Sequence, residues 1–421
     1  MFKNLFVSLL MMVIALSSPT ASIAATATDW GLIDVGATSV SALRGTQVWS
    51  WGLNRSLRNS DISQKTGVIG NGDDSFLECV LVQDYCREKK RKDWSALSVG
   101  TFHACAVESS TKYLYCWGRN DDGRLGIGTI NTNVYNTAQK TTGSNNQWLI
   151  ISAGHKHSCG IKTDNTLWCW GFNENYRLGD NTETTRSTPT KVSTLTFKSV
   201  QAGTRASCAI STSGGLWCWG TIDLGSGNGV FLAKVPTRIM QTSTDWVQIT
   251  MGTNHVCGLR SADKGIWCFG TNYSGQLARP EATTGSKQPV REQSASTWLS
   301  LSSGNDHVCA INTDKKLFCW GMNNWGQLGN GGNGLLPSFA PSREFYKRTD
   351  WDTVFAGGNV SCAKRTSNRL YCWGSDSAYQ LGYASIDPAT DPAYAVQCFP
   401  EWLLSNSYLP KSCRPEEVFI K

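Results

Sequence analysis

Past residue 24 the chain of 421 residues has no apolar stretch long enough to cross a bilayer as a helix. Charge is sparse: 17% of residues are Asp, Glu, Lys or Arg, and 39 basic against 32 acidic residues leave a formal +7. So mild a balance does not mark a nucleic-acid binder. The serine-hydrolase elbow, H-E-x-x-H and nucleotide-binding loops are missing, which removes the commonest routes to hydrolase and nucleotide chemistry. No C-x-x-C pair occurs, so zinc ribbons and thioredoxin-like centres find little support. The D-x-D-x-D-G spacing of a calcium loop is absent too. On these grounds no catalytic residue, metal site or cofactor is assigned.

Cysteine is plentiful, with 16 residues. The first 24 residues read as a secretory signal: Lys3, an apolar run from Leu5 to Leu16, then small residues ending at Ala24. Export to an extracellular or periplasmic space would let the cysteines form disulfides. The mature part, 25–421, is expected to be one domain. The basic run "KKRK" at 89–92 reads as a solvated loop.

A glycine recurs at Gly36, Gly100, Gly154, Gly203, Gly252, Gly304 and Gly357. The first interval is 64 residues and the others are 49 to 54. Six positions before each stands an aromatic residue: Trp30, Trp94, Trp148, Phe197, Trp246, Trp298 and Trp351. The stretch between ("WLIISAG", "WVQITMG") reads as a short buried strand. A second strand ("HSCGI"), a polar turn ("KTDNT") and a third strand ("LWCWG") make a hairpin. A G-x-N-x-x-G-x-L-G turn follows, where Asn and Gly suit tight backbone geometry. Seven units too small to bury their own faces must stack.

G-x-x-H-x-C-A followed by W-G-x-N-x-x-G-Q-L-G closely resembles the repeat of the regulator of chromosome condensation superfamily. The resemblance runs from Trp30 to about Tyr383. It implies an all-β, seven-bladed propeller. Exported bacterial members exist, among them a propeller-type inhibitor of β-lactamases. The plant UV-B photoreceptor shares this fold, but its Gly-Trp-Arg-His-Thr signature is missing here. The nuclear branch exchanges guanine nucleotides on a small GTPase. That role is disfavoured by the signal segment and the cysteine load.

Within each unit two cysteines stand at matching places: Cys105 with Cys116, Cys159 with Cys169, Cys208 with Cys218, Cys257 with Cys268, Cys309 with Cys319, and Cys362 with Cys372. In unit one both places hold serine, Ser41 and Ser50. Joint absence is what partners would show, so each pair is expected to staple one hairpin. Cys79 with Cys86 and Cys398 with Cys413 are expected as two further pairs. Trp168 and Trp170 flank Cys169 and should face the other way, against a neighbouring blade. His103, His157, His255 and His307 share one repeat position, where each imidazole is expected to satisfy backbone groups near its own turn. The strand at Trp30 is expected to complete the last blade, because no such strand follows Gly382.

Repetition makes the strands alike, so distinctive chemistry must lie where units differ. The largest departures are the insertion at 58–92, the loop 330–349 and the tail 383–421. The loop is expected to expose Phe339, Phe345 and Tyr346 beside Arg343, Lys347 and Arg348, residue types enriched in binding hot spots. Phe345, Tyr346 and Arg348 are the candidate partner-binding residues. The reading is a secreted, monomeric, non-enzymatic propeller that binds a protein or other macromolecule, but not nucleic acid, through its loops. A propeller-based polysaccharide lyase or hydrolase is the alternative, with nucleotide exchange a second one.

Overall fold

The computed structural model describes residues 30–44, 47–52, 93–142, 147–279, 284–294, 296–331, 336–375, 381 and 411–417. The signal segment, the insertion at 58–92, Cys79, Cys86, Cys398 and the side chain of Cys413 lie outside the described residues.

Each unit folds into antiparallel strands laid side by side in chain order. Blade one holds β1 (Trp30–Val35), β2 (Ser39–Arg44) and β3 (Gln47–Gly52). Blade two holds β4 (Trp94–Val99), β5 (His103–Glu108), β6 (Leu114–Arg119) and β7 (Val134–Lys140). Blade three holds β8 (Trp148–Ala153), β9 (His157–Lys162), β10 (Thr166–Gly171) and the first half of β11 (Arg186–Ala202). The second half of β11 opens blade four, followed by β12 (Ala206–Ser211), β13 (Leu216–Asp223) and β14 (Val230–Ile239). Blade five holds β15 (Trp246–Met251), β16 (His255–Arg260), β17 (Ile266–Thr271) and β18 (Gly285–Arg291). Blade six holds β19 (Trp298–Ser303), β20 (His307–Asn312), β21 (Leu317–Gly321) and β22 (Ser338–Arg343). Blade seven holds β23 (Trp351–Gly357), β24 (Val360–Arg365), β25 (Leu370–Ser375) and β26 (Lys411–Glu417).

The strand order corrects the expected ring closure. β1 pairs with β2 of its own unit, Val35 opposite Val40. The outer strand of blade seven is β26, drawn from the tail, with Glu416 opposite Cys372. The reason is local: the anchor glycine donates back across a tight turn, Gly36 N to Ser39 O at 2.8 Å, so its strand folds onto the strand that follows. Closure is by packing instead. A Cβ on Gly357 would lie 1.7 Å from Val35 O, and Lys364 Nζ donates to Trp30 O at 3.2 Å.

The anchor must be glycine because adjacent blades touch there. A Cβ on Gly100 would meet Gly154 O at 2.2 Å, and one on Gly154 would meet Gly203 O at 2.7 Å. No side chain fits such an approach without moving backbone.

The six hairpin cystines form as expected: Cys105 with Cys116, Cys159 with Cys169, Cys208 with Cys218, Cys257 with Cys268, Cys309 with Cys319, and Cys362 with Cys372. Each joins directly opposed residues of the second and third strands, with Cα atoms 4.0 or 4.1 Å apart. Each cystine faces the following blade and packs on two of its aromatic rings. The cystine of Cys105 and Cys116 meets Trp148 and Trp170. That of Cys208 and Cys218 meets Trp246 and Phe269, and that of Cys257 and Cys268 meets Trp298 and Trp320. That of Cys309 and Cys319 meets Trp351 and Trp373, and that of Cys362 and Cys372 meets Trp30 and Trp51. Trp170 thus faces the preceding blade, as strand alternation requires. Trp148 and Trp170 meet edge to face at 5.6 Å, whereas Trp298 and Trp320, and Trp351 and Trp373, are tilted. In blade one the cystine is replaced by a buried Ser41 Oγ to Ser50 Oγ hydrogen bond of 2.7 Å.

Outer strands are bulged. Three residues of the outer strand oppose one tryptophan or phenylalanine of the third, and in β11, β14, β18 and β22 the last of the three is proline: Pro189, Pro236, Pro289 and Pro341. Proline and bulges both blunt an edge against strand addition.

A seventh cystine should therefore be accepted. The double variant Ser41→Cys/Ser50→Cys is expected to crosslink and to gain up to roughly 2–3 kcal/mol in the chain-entropy model. Thiol titration and denaturant melts check this. An uncrosslinked or less stable double variant contradicts it.

Candidate functional site

The first strands surround a central channel, a cavity of about 340 Å³. Its wall is a polar ring that ties blade to blade. In blades two, three, five and six the fourth residue after the aromatic anchor accepts a backbone N–H from the next blade: Ala153 N to Ser98 Oγ at 3.0 Å, Ala202 N to Ser152 Oγ at 2.9 Å, Ser303 N to Thr250 Oγ1 at 2.8 Å and Ala356 N to Ser302 Oγ at 2.9 Å. In blade seven this residue is Phe355, which cannot accept. Asp34 compensates at the closure. Its Oδ1 takes Val35 N at 3.0 Å, while Oδ2 takes Val99 N at 2.7 Å and Ser98 Oγ at 2.9 Å. Burial pushes the Asp34 carboxyl upward, and these three donors pull it back only in part.

The repeated histidines are buried. Their partners correct the expectation of bonding near their own turn, for each reaches into the next blade. Nε2 of His103, His157 and His307 meets the hydroxyl of Ser158, Ser207 and Ser361 at 2.7, 2.8 and 2.8 Å. Each serine donates onward to a loop carbonyl: Arg124 O, Arg177 O and Gln327 O, all between 2.8 and 2.9 Å. The physical cause is blade spacing, which sets the second strand of one blade against that of the next. His255 is the exception, because the matching residue in the next blade is Val308. Both its ring nitrogens lack partners among the described residues. Burial holds all four imidazoles far below the usual range, His255 at about 4 and His307 at about 3. They are neutral at physiological pH. Among the described residues no three His, Cys, Asp or Glu side chains are placed to hold a metal ion.

The segment 330–349 is not a single loop. Ser338–Arg343 is β22, so Phe339 is half-buried in a strand, lying over Gly275 of blade five, instead of exposed. Phe345 and Tyr346, 37% and 43% exposed, begin the connection from β22 to β23. Their rings meet edge to face at 5.2 Å. Arg348 is half-buried and stacks on Tyr346 at 4.2 Å and Tyr371 at 5.0 Å. The buried carboxylate of Glu344 holds this turn, accepting from the backbone N–H of Tyr346 at 2.6 Å and of Arg348.

Models of the Regulator of chromosome condensation (RCC1) repeat match residues 113–161, 164–210 and 314–363, and a second model of the same repeat matches 94–124, 150–177, 246–276 and 298–327. The chain belongs to the RCC1-repeat family. It is similar to the Ultraviolet-B receptor UVR8 of Arabidopsis thaliana, 26% identical over 85% of this chain and 79% of that protein. It is also similar to the mitochondrial RCC1 domain-containing protein RUG3 of Arabidopsis thaliana, 25% identical over 69% of this chain and 67% of that protein. Among solved structures it matches human WBSCR16 with a TM-score of 0.63 at 18% identity, over 78% and 84% of the two chains. Prp20p of Saccharomyces cerevisiae matches with a TM-score of 0.60 at 19% identity, over 74% and 75%.

Within this RCC1-repeat propeller, sequence reasoning missed the ring at Asp34, Ser98, Ser152, Thr250 and Ser302 and the serine partners of the histidines. One signal was present: "HSC", "ASC" and "VSC" carry serine just before the cysteine only in units that follow a His-bearing unit.

Two outcomes follow from the histidines. Their folded pKa values lie below the unfolded value of 6.5, so the unfolded chain binds more protons as pH falls below 6.5. These groups should remove stability progressively from pH 6.5 down to about 3, read by urea melts across that window. A double-mutant cycle on His307→Ala and Ser361→Ala should show coupling of about 1 kcal/mol. The same cycle on His255 and Val308 should show a smaller coupling; equal values would refute the relay.

Proposed function

We propose that this RCC1-repeat propeller is exported and works by binding a macromolecular partner without catalysing a reaction. The observation that carries the reading is the exposed Phe345–Tyr346 pair on a turn already held in shape by Glu344. A rigid aromatic anchor loses little entropy on binding, and aromatic residues dominate interface energetics. Arg348 backs Tyr346 from the buried side and is a support for the pair. Six cystines are compatible with an oxidising compartment and would not persist in a reducing cytosol. The buried His103, His157 and His307 and the caged Asp34 are bonded within the structure, which favours the non-enzymatic reading over the lyase or hydrolase alternative.

The test is affinity capture with the oxidised chain from its native exported fraction. Phe345→Ala/Tyr346→Ala should weaken capture with a nearly unchanged melting temperature. Arg348→Ala should instead lower stability by roughly 1 kcal/mol through lost stacking. Unaltered capture by the double variant removes this turn from the interface. Turnover of a polysaccharide or ester substrate by the oxidised chain would overturn the non-enzymatic reading.

A further inference from the structure

Blades two and three carry copies of one loop, "NDDGRL" at 120–125 and "NENYRL" at 173–178. Both follow the third strand, so both lie at the end of the propeller where the anchor glycines turn. Asn120 and Asn173 tie the turns alike, accepting from Leu125 N at 3.3 Å and Leu178 N at 3.0 Å. Arg124 and Arg177 then take matching places, 1% and 4% exposed. Each guanidinium lies over a phenylalanine ring, Arg124 5.5 Å from Phe102 and Arg177 4.9 Å from Phe172. Each Nη1 donates to the residue after the next blade's anchor glycine, Arg124 to His155 O at 3.3 Å and Arg177 to Thr204 O at 2.9 Å.

The copies differ first in charge. Arg124 is neutralised within its own loop: Nη2 donates to Asp121 at 2.9 Å and to Asp122. In blade three Asp122 is replaced by Asn175, and the residue matching Asp121 is Glu174, which is exposed and offers Arg177 Nε its backbone carbonyl at 2.8 Å. Among the described residues no carboxylate forms an ion pair with Arg177, and its Nη2 has no partner. A guanidinium set this deep without a counter-ion is destabilised relative to a paired one. The surroundings add positive charge. Lys156 Nζ lies 4.9 Å from the same Phe172 ring, and Arg205 follows Thr204 in the adjoining turn. Neither is ion-paired among the described residues. Burial lowers the Arg177 pKa to about 10, the carboxylates of Glu174 and Asp122 oppose the shift, and Arg205 adds a little to it.

A second feature marks the same turn. Tyr176 adopts the left-handed conformation, φ 59°, where units two, five and six have Gly123, Gly275 and Gly326. A bulky residue held there is strained, and such strain gathers at functional sites. Its ring carries Lys234 Nζ at 5.0 Å.

We propose that blade three holds an oxyanion site built on Arg177, flanked by Lys156 and Arg205, that takes a carboxylate from an acidic polypeptide. The guanidinium fork matches a carboxylate, and binding supplies the counter-ion that Asp122 supplies in blade two. The site belongs to blade three and the Phe345 turn follows β22 of blade six, so it stands or falls independently of that interface.

The probe is a fluorescein-labelled hexaglutamate peptide with the oxidised full chain, read by anisotropy. Arg177→Gln should weaken binding about tenfold or more. Asn175→Asp should weaken binding as well, because it sets a carboxylate in the same turn, and Asp accepts the left-handed backbone at this position, φ 63°. Inorganic phosphate should compete only at far higher concentration. Unchanged peptide affinity in both variants overturns the site. Phosphate binding as tightly as the peptide overturns the polypeptide assignment, as does oligothymidylate binding more tightly and being lost in the same variants.

Discussion

The packing of each cystine against two rings of the following blade is the contact on which the rest of this propeller depends. A four-stranded blade cannot bury both of its faces, so its stability is borrowed from its neighbours. The cystine presents a rigid apolar face across strands two and three, and the fully buried rings, such as Trp170, Trp320 and Trp373, close on it. Their indole N–H groups are satisfied by loop carbonyls of the preceding blade, as Trp170 Nε1 is by Arg124 O at 2.9 Å. The same carbonyl takes the hydroxyl of Ser158, which receives His103. One apolar interface therefore sets the spacing at which two polar relays meet their partners.

That spacing also explains the closure. Blades one and seven lie far apart in the sequence, and among the described residues no disulfide joins them. Phe355 removes one acceptor from the polar ring at this junction, and Asp34 replaces it with a carboxylate that reaches both its own strand and blade two. Glycine at 357 and 358 lets the two inner strands approach within backbone contact. A single buried carboxyl group is the outcome of joining a repeat whose last copy departs from the rule.

Much of this was legible in the sequence. Serine at both cysteine places of unit one identified the six pairings, because co-absence survives any folding. The phase of the repeat was not legible. A periodic sequence can be divided into units at any point, and only the tight turn after each anchor glycine decides that the aromatic strand is the first strand of its own blade. Histidine partners were hidden for a related reason: Ser158 lies 55 residues from His103, one blade away in space. Phe339 looked exposed because glycine and proline surround it, whereas Pro341 sits in the bulge common to the outer strands. The contrast between Arg124 and Arg177 is one Asp-to-Asn change on the page and acquires meaning only once both arginines are known to be buried.

The most direct measurement of the central claim is native-state hydrogen exchange, resolved by strand, after removing a single cystine with Cys309→Ser/Cys319→Ser. If cystines act by packing on the next blade, β23 and β25 of blade seven should lose protection along with β20 and β21 of blade six, while β8 and β9 keep theirs. Loss confined to blade six would show that each cystine only staples its own hairpin, and the account of the interface would fail.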